Sequence, residues 1–319
     1  MQTAASKSPT FLDTISSNKV HVSLFKCFIR LVYFFNLRSL FLKESAVTLA
    51  NDFIGITNQI DDVESIGVML GLTGPSAKNV FVLETSKGEK YFVKTAQSEL
   101  SVQLISNESF ALSKLSNYVL SFRIPKLISS RGNFLLMGSV GAKIIQQNVW
   151  TLEHYRYVID MQRIYSENVF TMNYVRSLEN TAFLESILPE QIQLTYSHGD
   201  FTPWNTSVFK EELYVIDWEL FGKRPLGYDI FHFHVQPLIM NTAYDASTIY
   251  THVARELEPL YESKYFGDLT FLQSFLLYIS VIKSDYSVTY TDEIKLHWQA
   301  LRAIEIWNNL MRIIYEKIR

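Results

Sequence analysis

His198-Gly199-Asp200-Phe201-Thr202-Pro203-Trp204-Asn205, followed by Val215-Ile216-Asp217-Trp218-Glu219, is the stretch on which the reading of this chain turns. An Asp and an Asn five residues apart can share one rigid loop, the carboxylate facing one reactant and the amide oxygen a hard cation. Asp217 closes the apolar run Leu213-Tyr214-Val215-Ile216, so a buried strand would deliver it from a second direction. Between them Lys210-Glu211-Glu212 forms a polar turn flanked by apolar runs, which predicts a hairpin joining Asn205 to Asp217. Phosphoryl transfer requires these groups: a carboxylate to orient a hydroxyl and accept its proton, and oxygen ligands for a metal-bound triphosphate.

HGDFTPWN followed by VIDWE resembles the signature of the aminoglycoside phosphotransferase and choline kinase superfamily, a branch of the protein-kinase-like fold. The resemblance implies Asp200 as catalytic base, His198 as the residue bracing the catalytic loop, and Asn205 and Asp217 as Mg²⁺ ligands. ATP or GTP would be the phosphoryl donor. The implied architecture is α+β and bilobal, with a small antiparallel-sheet lobe carrying one helix and a larger helical lobe. A lone HGD would be a weak signal, readable as a turn with a core histidine and solvated carboxylates. The composite with Asn205 and Asp217 is far more specific.

The residues ahead of the motif fit the smaller lobe. Short β-type runs, SIGVMLGL (65–72), NVFVLET (79–85) and YFVKTA (91–96), alternate with turn residues, and Gly88 marks a hairpin between the last two. Leu100 to Leu120 carries apolar residues at helical spacing, and IPKLI (124–128) and NFLLMGSV (133–140) are further strand candidates. A kinase-type lobe needs a strand lysine to hold the α/β-phosphates and a helix glutamate to hold that lysine. Lys94 and Glu108 stand where such a pair is expected. The loop covering the nucleotide is expected at Leu72–Asn79, with Gly74 and Ser76 offering backbone amides and a small hydroxyl. It is not the GxGxxG of protein kinases, and is similar to the shorter loops of the aminoglycoside phosphotransferase group. The link between lobes is expected at Leu136–Gly141, where adenine would bond backbone groups.

The organisation read from the chain is therefore a basic, aromatic N-terminal extension over 1–60, a β-rich nucleotide-binding lobe over 61–140, and a helical lobe over 141–319. Helices are predicted at Thr151–Tyr165, at Thr171–Ile187, and several times between Ala246 and Lys317. Asp229 is a candidate brace for the catalytic loop. His232 and His234, at period-2 spacing among bulky apolar residues, read as buried structural histidines rather than metal ligands. Trp204 is open between contacting the acceptor and packing.

Composition excludes several function classes. Net charge is −3 with charges of both signs mixed along the chain, so no nucleic-acid partner is expected. The single cysteine, Cys27, rules out an internal disulfide and a cysteine metal cluster, and fits a cytoplasmic location. Residues 20–43 are apolar and aromatic, but Lys26, Arg30 and Arg38 interrupt them too often for a membrane span. An accessory element packed on its own domain is the plainer reading of this segment. The other is peripheral contact with the inner face of the membrane. The expected partners are a nucleotide and a small molecule bearing a hydroxyl. Carboxylates of the helical lobe are scattered among Arg156, Arg163 and Arg176, which favours a neutral sugar or an envelope glycan precursor over a polycationic acceptor. The alternative function is a pseudokinase-like, nucleotide-binding scaffold; against it, Lys94, Asp200, Asn205 and Asp217 are all in place.

Overall fold

The computed structural model describes residues 59–70, 76–141, 149–262, 267–289 and 298–319. Two compact units emerge. One runs to Ser109 and resumes over Pro125–Ser139, and the other comprises Phe110–Ile124 and Val140–Arg319. Gly74 and the segment 20–43 lie outside the described residues.

The first unit is built on β1 (Val63–Leu70), β2 (Lys78–Thr85) and β3 (Lys90–Ala96), followed by α1 (Glu99–Leu115), whose residues from Phe110 onward are counted with the second unit. After β4 (Phe122–Arg123), which belongs to the second unit, β5 (Leu127–Arg131) and β6 (Phe134–Gly138) complete an antiparallel sheet of order β1-β2-β3-β6-β5. The β2–β3 turn places Gly88 at φ 78°, a conformation that side-chain-bearing residues rarely adopt. Leu83, Val93, Phe134 and Leu136 are fully buried and form the core of one sheet face. Alternation along β3 turns Val93 into that core and Lys94 to the opposite face. Ser98 starts α1 by accepting the Ser101 N–H at 3.0 Å, an N-cap bond that satisfies one orphan amide. Burial at Leu104, Ile105, Glu108, Ala111, Leu112 and Leu115 follows the helical repeat, with one carboxylate included in the stripe.

The second unit continues through α2 (Leu152–Ile164), β7 (Ser166–Phe170), α3 (Thr171–Val175), α4 (Thr181–Ile187) and β8 (Gln191–Ser197). Next come β9 (Thr206–Phe209), β10 (Glu212–Val215), a 3₁₀ turn at Trp218–Leu220 and β11 (Gly222–Pro225). Four long helices follow among the described residues: α5 (Tyr228–Met240), α6 (Ala246–Glu262), α7 (Phe271–Thr289) and α8 (Trp298–Ile318). Two three-stranded sheets, β4-β10-β9 and β11-β8-β7, frame the HGD segment. Its Phe201 is fully buried and stacks on Tyr157 of α2 at 4.2 Å, and Phe122 of β4 meets Tyr157 edge-on at 5.0 Å. Burying such a ring contributes about 1.5–3 kcal/mol, so the HGD loop is anchored by its own apolar residue.

Three expectations are revised here. The predicted helix Thr171–Ile187 is two short helices, because Asn180 enters the left-handed region at φ 59°. The Thr181 hydroxyl then bonds the Val175 and Leu178 carbonyls, which closes the first helix. The strand expected at 124–128 begins only at Leu127, since Pro125 has no amide proton for a ladder. The period-2 segment holding His232 and His234 is a helix, α5, buried nearly all round and therefore without a polar face to betray its repeat. Among the described residues no helix is long and apolar enough to cross a membrane.

Candidate active site

The HGD segment occupies the loop between β8 and β9. Gly199 has φ 88°, and a Cβ there would lie 2.2 Å from the Leu220 carbonyl oxygen, so only glycine fits. The predicted hairpin forms. β9 and β10 pair from Thr206↔Val215 to Phe209↔Glu212, and Lys210 and Glu211 both take positive φ, as a two-residue turn of this twist requires. The ladder continues one step further, where the Ile216 N–H donates to the Asn205 carbonyl at 3.0 Å. Asn205 is thereby joined to the residue preceding Asp217, as the spacing predicts.

Around this frame the side chains converge. The Asn205 Nδ2 donates to the Asp200 carbonyl at 2.9 Å and to the Asp200 Oδ2 at 2.8 Å. Both partners are acceptors only, so the amide nitrogen must face them and Oδ1 is turned away. Asp217 adopts φ 69°, a strained left-handed conformation for a non-glycine residue, where the chain enters the 3₁₀ turn. Its carboxylate and that of Glu219 bring oxygens within 4.8 Å of one another. Amide and carboxylate oxygens are the hard donors Mg²⁺ takes, so the residues present fit that ion.

His198 ties the two halves of the hairpin. Burial holds its imidazole below the ordinary histidine range, and the neighbouring Asp229 and Asp200 oppose that shift only in part. A neutral ring matches its contacts: Nδ1 accepts the Asp200 N–H at 3.2 Å, and Nε2–H donates to the Ile216 carbonyl at 2.9 Å. Asp229, in the first turn of α5, grips the loop from the other side. Its Oδ1 accepts from the Ser197 hydroxyl at 2.7 Å and the Gly199 N–H at 3.2 Å. Its Oδ2 accepts from the Tyr157 hydroxyl at 2.7 Å and the His198 N–H at 2.8 Å. Burial above all, with Asp229 alongside, pushes the Tyr157 hydroxyl well above its ordinary value, so it stays a donor.

In the first unit Lys94 Nζ meets Glu108 Oε2 at 2.7 Å, with the glutamate fully buried and the lysine nearly so. Strand alternation and the helical stripe bring the two together across fourteen residues of sequence. Ser76 lies in the turn leading to β2. In the HGD loop Trp204 is 38% exposed, which sets it apart from the buried Phe201.

Sequence reasoning missed one residue of this site. His232 is buried, but it is not an inert core histidine: its Nε2 stands 2.9 Å from Asp200 Oδ1. Period-2 reading hid it, because in α5 it lies one helical turn beyond Asp229 and on the same face. His234 does match the structural reading. It is largely buried near His154 of α2, and burial lowers both imidazoles to about 4. Unfolded, each would titrate near the ordinary 6.5. Stability from keeping them neutral is thus complete above pH 6.5 and is lost as pH falls toward 4. Each is expected to contribute a loss of about 2 kcal/mol between pH 7.5 and pH 5. Urea midpoints of the unmodified protein and of His234→Phe at the two pH values check this. The variant should lose about half of that histidine-derived pH dependence, and identical pH slopes would remove His234 from the account.

His234 lines a cavity of about 470 Å³ in the second unit, together with Trp150, Pro203, Asn241, Tyr244 and Glu256 among others. Pro203 comes from the HGD loop itself. Glu256, the one carboxylate of the cavity wall among the described residues, lies 2.9 Å from Arg255 in an exposed ion pair.

No protein-family model matches the chain, and no curated protein matches it. Solved structures do. Choline kinase LicA from Streptococcus pneumoniae is 14% identical and similar over 82% of this chain and 99% of its own, with a TM-score of 0.51. APH(2")-IIa, solved as its gentamicin complex, is 14% identical over 81% of this chain and 95% of its own, with a TM-score of 0.50. The chain has the fold of these kinases. A GDP and kanamycin complex of APH(2")-IIia gives the same picture, at 12% identity, 81% and 97% coverage and a TM-score of 0.50. At such identities the likeness speaks for the fold, and the HGD hairpin geometry must speak for the chemistry.

Proposed function

We propose that this protein is a phosphotransferase moving the γ-phosphoryl group of ATP or GTP, with Mg²⁺, onto a hydroxyl of a neutral sugar or an envelope glycan precursor. The observation that carries the reading is the HGD hairpin, which sets an acceptor-side carboxylate, Asp200, beside Asn205 and ties Asn205 to the strand end at Asp217. Asp200 orients the attacking hydroxyl and takes its proton, His198 braces the loop, and Asn205 and Asp217 hold the cation. The ion, when bound, offsets the negative charge of the triphosphate. Lys94, fixed by Glu108, serves the α/β-phosphates, and Ser76 and Gly74 supply the loop that covers them. Nucleotide use accords with the neighbour solved with GDP. A single cysteine supports a cytoplasmic location.

The cavity beside the HGD loop supports this acceptor class. Among the described residues the cavity wall offers a polycation one carboxylate, Glu256, which it would share with Arg255, so several ammonium groups could not all be paired there. A sugar can instead lay an apolar ring face on Trp150 or Tyr244 and bond its hydroxyls to Asn241. The test is transfer of label from γ-labelled ATP or GTP, with Mg²⁺, to a panel of neutral saccharides, lipid-linked glycan precursors, amino alcohols and aminoglycosides. Label in the saccharide or glycan fraction supports the proposal. Label confined to the aminoglycosides overturns the acceptor class, and nucleotide binding with no transfer to any fraction of a whole metabolite and lipid extract overturns the phosphotransferase.

A further inference from the structure

Asp200 is held at both carboxylate oxygens. Asn205 Nδ2 meets Oδ2 at 2.8 Å, and His232 Nε2 meets Oδ1 at 2.9 Å. The second contact comes from α5, thirty-two residues away in sequence, and no requirement of the hairpin explains it. An ionised carboxylate can only accept, so Nε2 must carry the proton, and in a neutral imidazole Nδ1 is then bare. The atom facing Nδ1 is the Tyr278 hydroxyl of α7, at 3.4 Å. Tyr278 is buried, and that burial pushes its hydroxyl well above the ordinary tyrosine value, which keeps it a donor. A polar chain results, from Tyr278 through His232 to Asp200.

Aromatic rings pack against two sides of the imidazole. Tyr228 stacks against it at 5.7 Å and 17°, and the Tyr278 ring stands edge-on at 6.1 Å and 77°. His232 is 4% exposed, whereas the Asp200 side chain is 33% exposed. The carboxylate is therefore open to a reactant on one side and clamped from within on the other. Two donors occupy two of its about four lone-pair sites, which leaves room for an incoming hydroxyl.

We infer that His232 is a positioning residue for Asp200, its Nε2–H fixing the carboxylate plane in which the acceptor hydroxyl is oriented. The inference rests on Asp200 being the base. A lone aspartate could rotate about its terminal bond and spend part of its time misaligned, whereas one held at both oxygens is ready before the acceptor arrives. His232 does not touch the reactants and acts only through Asp200.

His232→Phe, which keeps ring volume but removes the donor, is expected to lower kcat by roughly 10–100-fold while nucleotide KM stays unchanged. His232→Gln places an amide N–H near the position of Nε2 and is expected to recover most of that loss. Asp200→Ala is assayed alongside. An inactive Asp200→Ala with fully active His232→Phe overturns this inference alone, whereas a fully active Asp200→Ala overturns the reading beneath it. Equal losses in the Phe and Gln variants would assign His232 to packing and also overturn the inference. Should the Phe variant not fold, ¹⁵N spectra of the imidazoles in the unmodified protein decide the matter. A protonated Nε2 with a slowly exchanging, low-field proton supports the clamp, and an Nε2 without a proton refutes it.

Discussion

Asp200→Ala is expected to lower phosphoryl transfer by roughly 10²–10⁴-fold, about 3–5 kcal/mol of barrier, while Mg²⁺-nucleotide affinity stays nearly constant. The separation of the two effects follows from how the loop is held. Asn205 bonds the Asp200 main-chain carbonyl as well as its side chain, and the carbonyl survives the substitution. His198 likewise receives the Asp200 main-chain N–H and spans to the Ile216 carbonyl, so the hairpin that presents Asn205 and Asp217 keeps its shape. What disappears is the carboxylate alone, the group assigned to the hydroxyl's proton. Single-turnover transfer from labelled nucleotide measures the first quantity, and calorimetric titration with Mg²⁺-nucleotide measures the second. Near-normal turnover would remove Asp200 from the role of base. A fall in nucleotide affinity as large as the fall in rate would move it from the acceptor side to the ground-state nucleotide site.

Those residues were legible because the chemistry imposes short, local spacings. Asp200 and Asn205 share one loop, a two-residue turn carries the chain back to Asp217, and each step leaves a mark in sequence as a polar break or an apolar run. Lys94 and Glu108 were legible for a related reason: a strand followed directly by a helix brings its end and the third turn of that helix to predictable places. Apart from Asp229, residues on α5 and α7 carried no such mark. Tyr228, His232 and Tyr278 reach Asp200 through tertiary packing, and an all-round buried helix offers neither a polar face nor an alternation from which to infer what it touches. The break of 171–187 into two helices was hidden too, since it depends on Asn180 adopting the left-handed conformation and on a threonine hydroxyl closing the preceding turn. Local chemistry is thus written in the order of residues, while the support behind it is written in the packing.

Asp229 belongs to that support, and its removal is expected to do the most damage to the fold. Four donors end on its carboxylate: the hydroxyls of Ser197 and Tyr157 and the amides of His198 and Gly199. The residue is 6% exposed, so little water reaches these groups once the acceptor is gone. Hydrogen bonds to a charged group contribute about 1.5–3 kcal/mol each, and an unsatisfied buried donor costs about 1–3 kcal/mol. The four are not additive, because Tyr157 can also accept from the His198 amide at 3.2 Å and so relieve one of them. Asp229→Ala is accordingly expected to lose about 3–5 kcal/mol of stability. Asp229→Asn preserves shape but presents an NH₂ group to two of the four donors, whichever way the amide is turned, and is expected to be nearly as damaging. Urea denaturation monitored at Trp218, which lies against His198 at 4.6 Å, would report both the global midpoint and the state of the loop. If the Asn variant unfolds within 1 kcal/mol of the unmodified protein and keeps its turnover, the loop is held by its aromatic anchor and the hairpin ladder instead. If stability falls as expected while the folded fraction still transfers phosphate slowly, Asp229 is the link through which α5 sets both the fold and the catalytic loop.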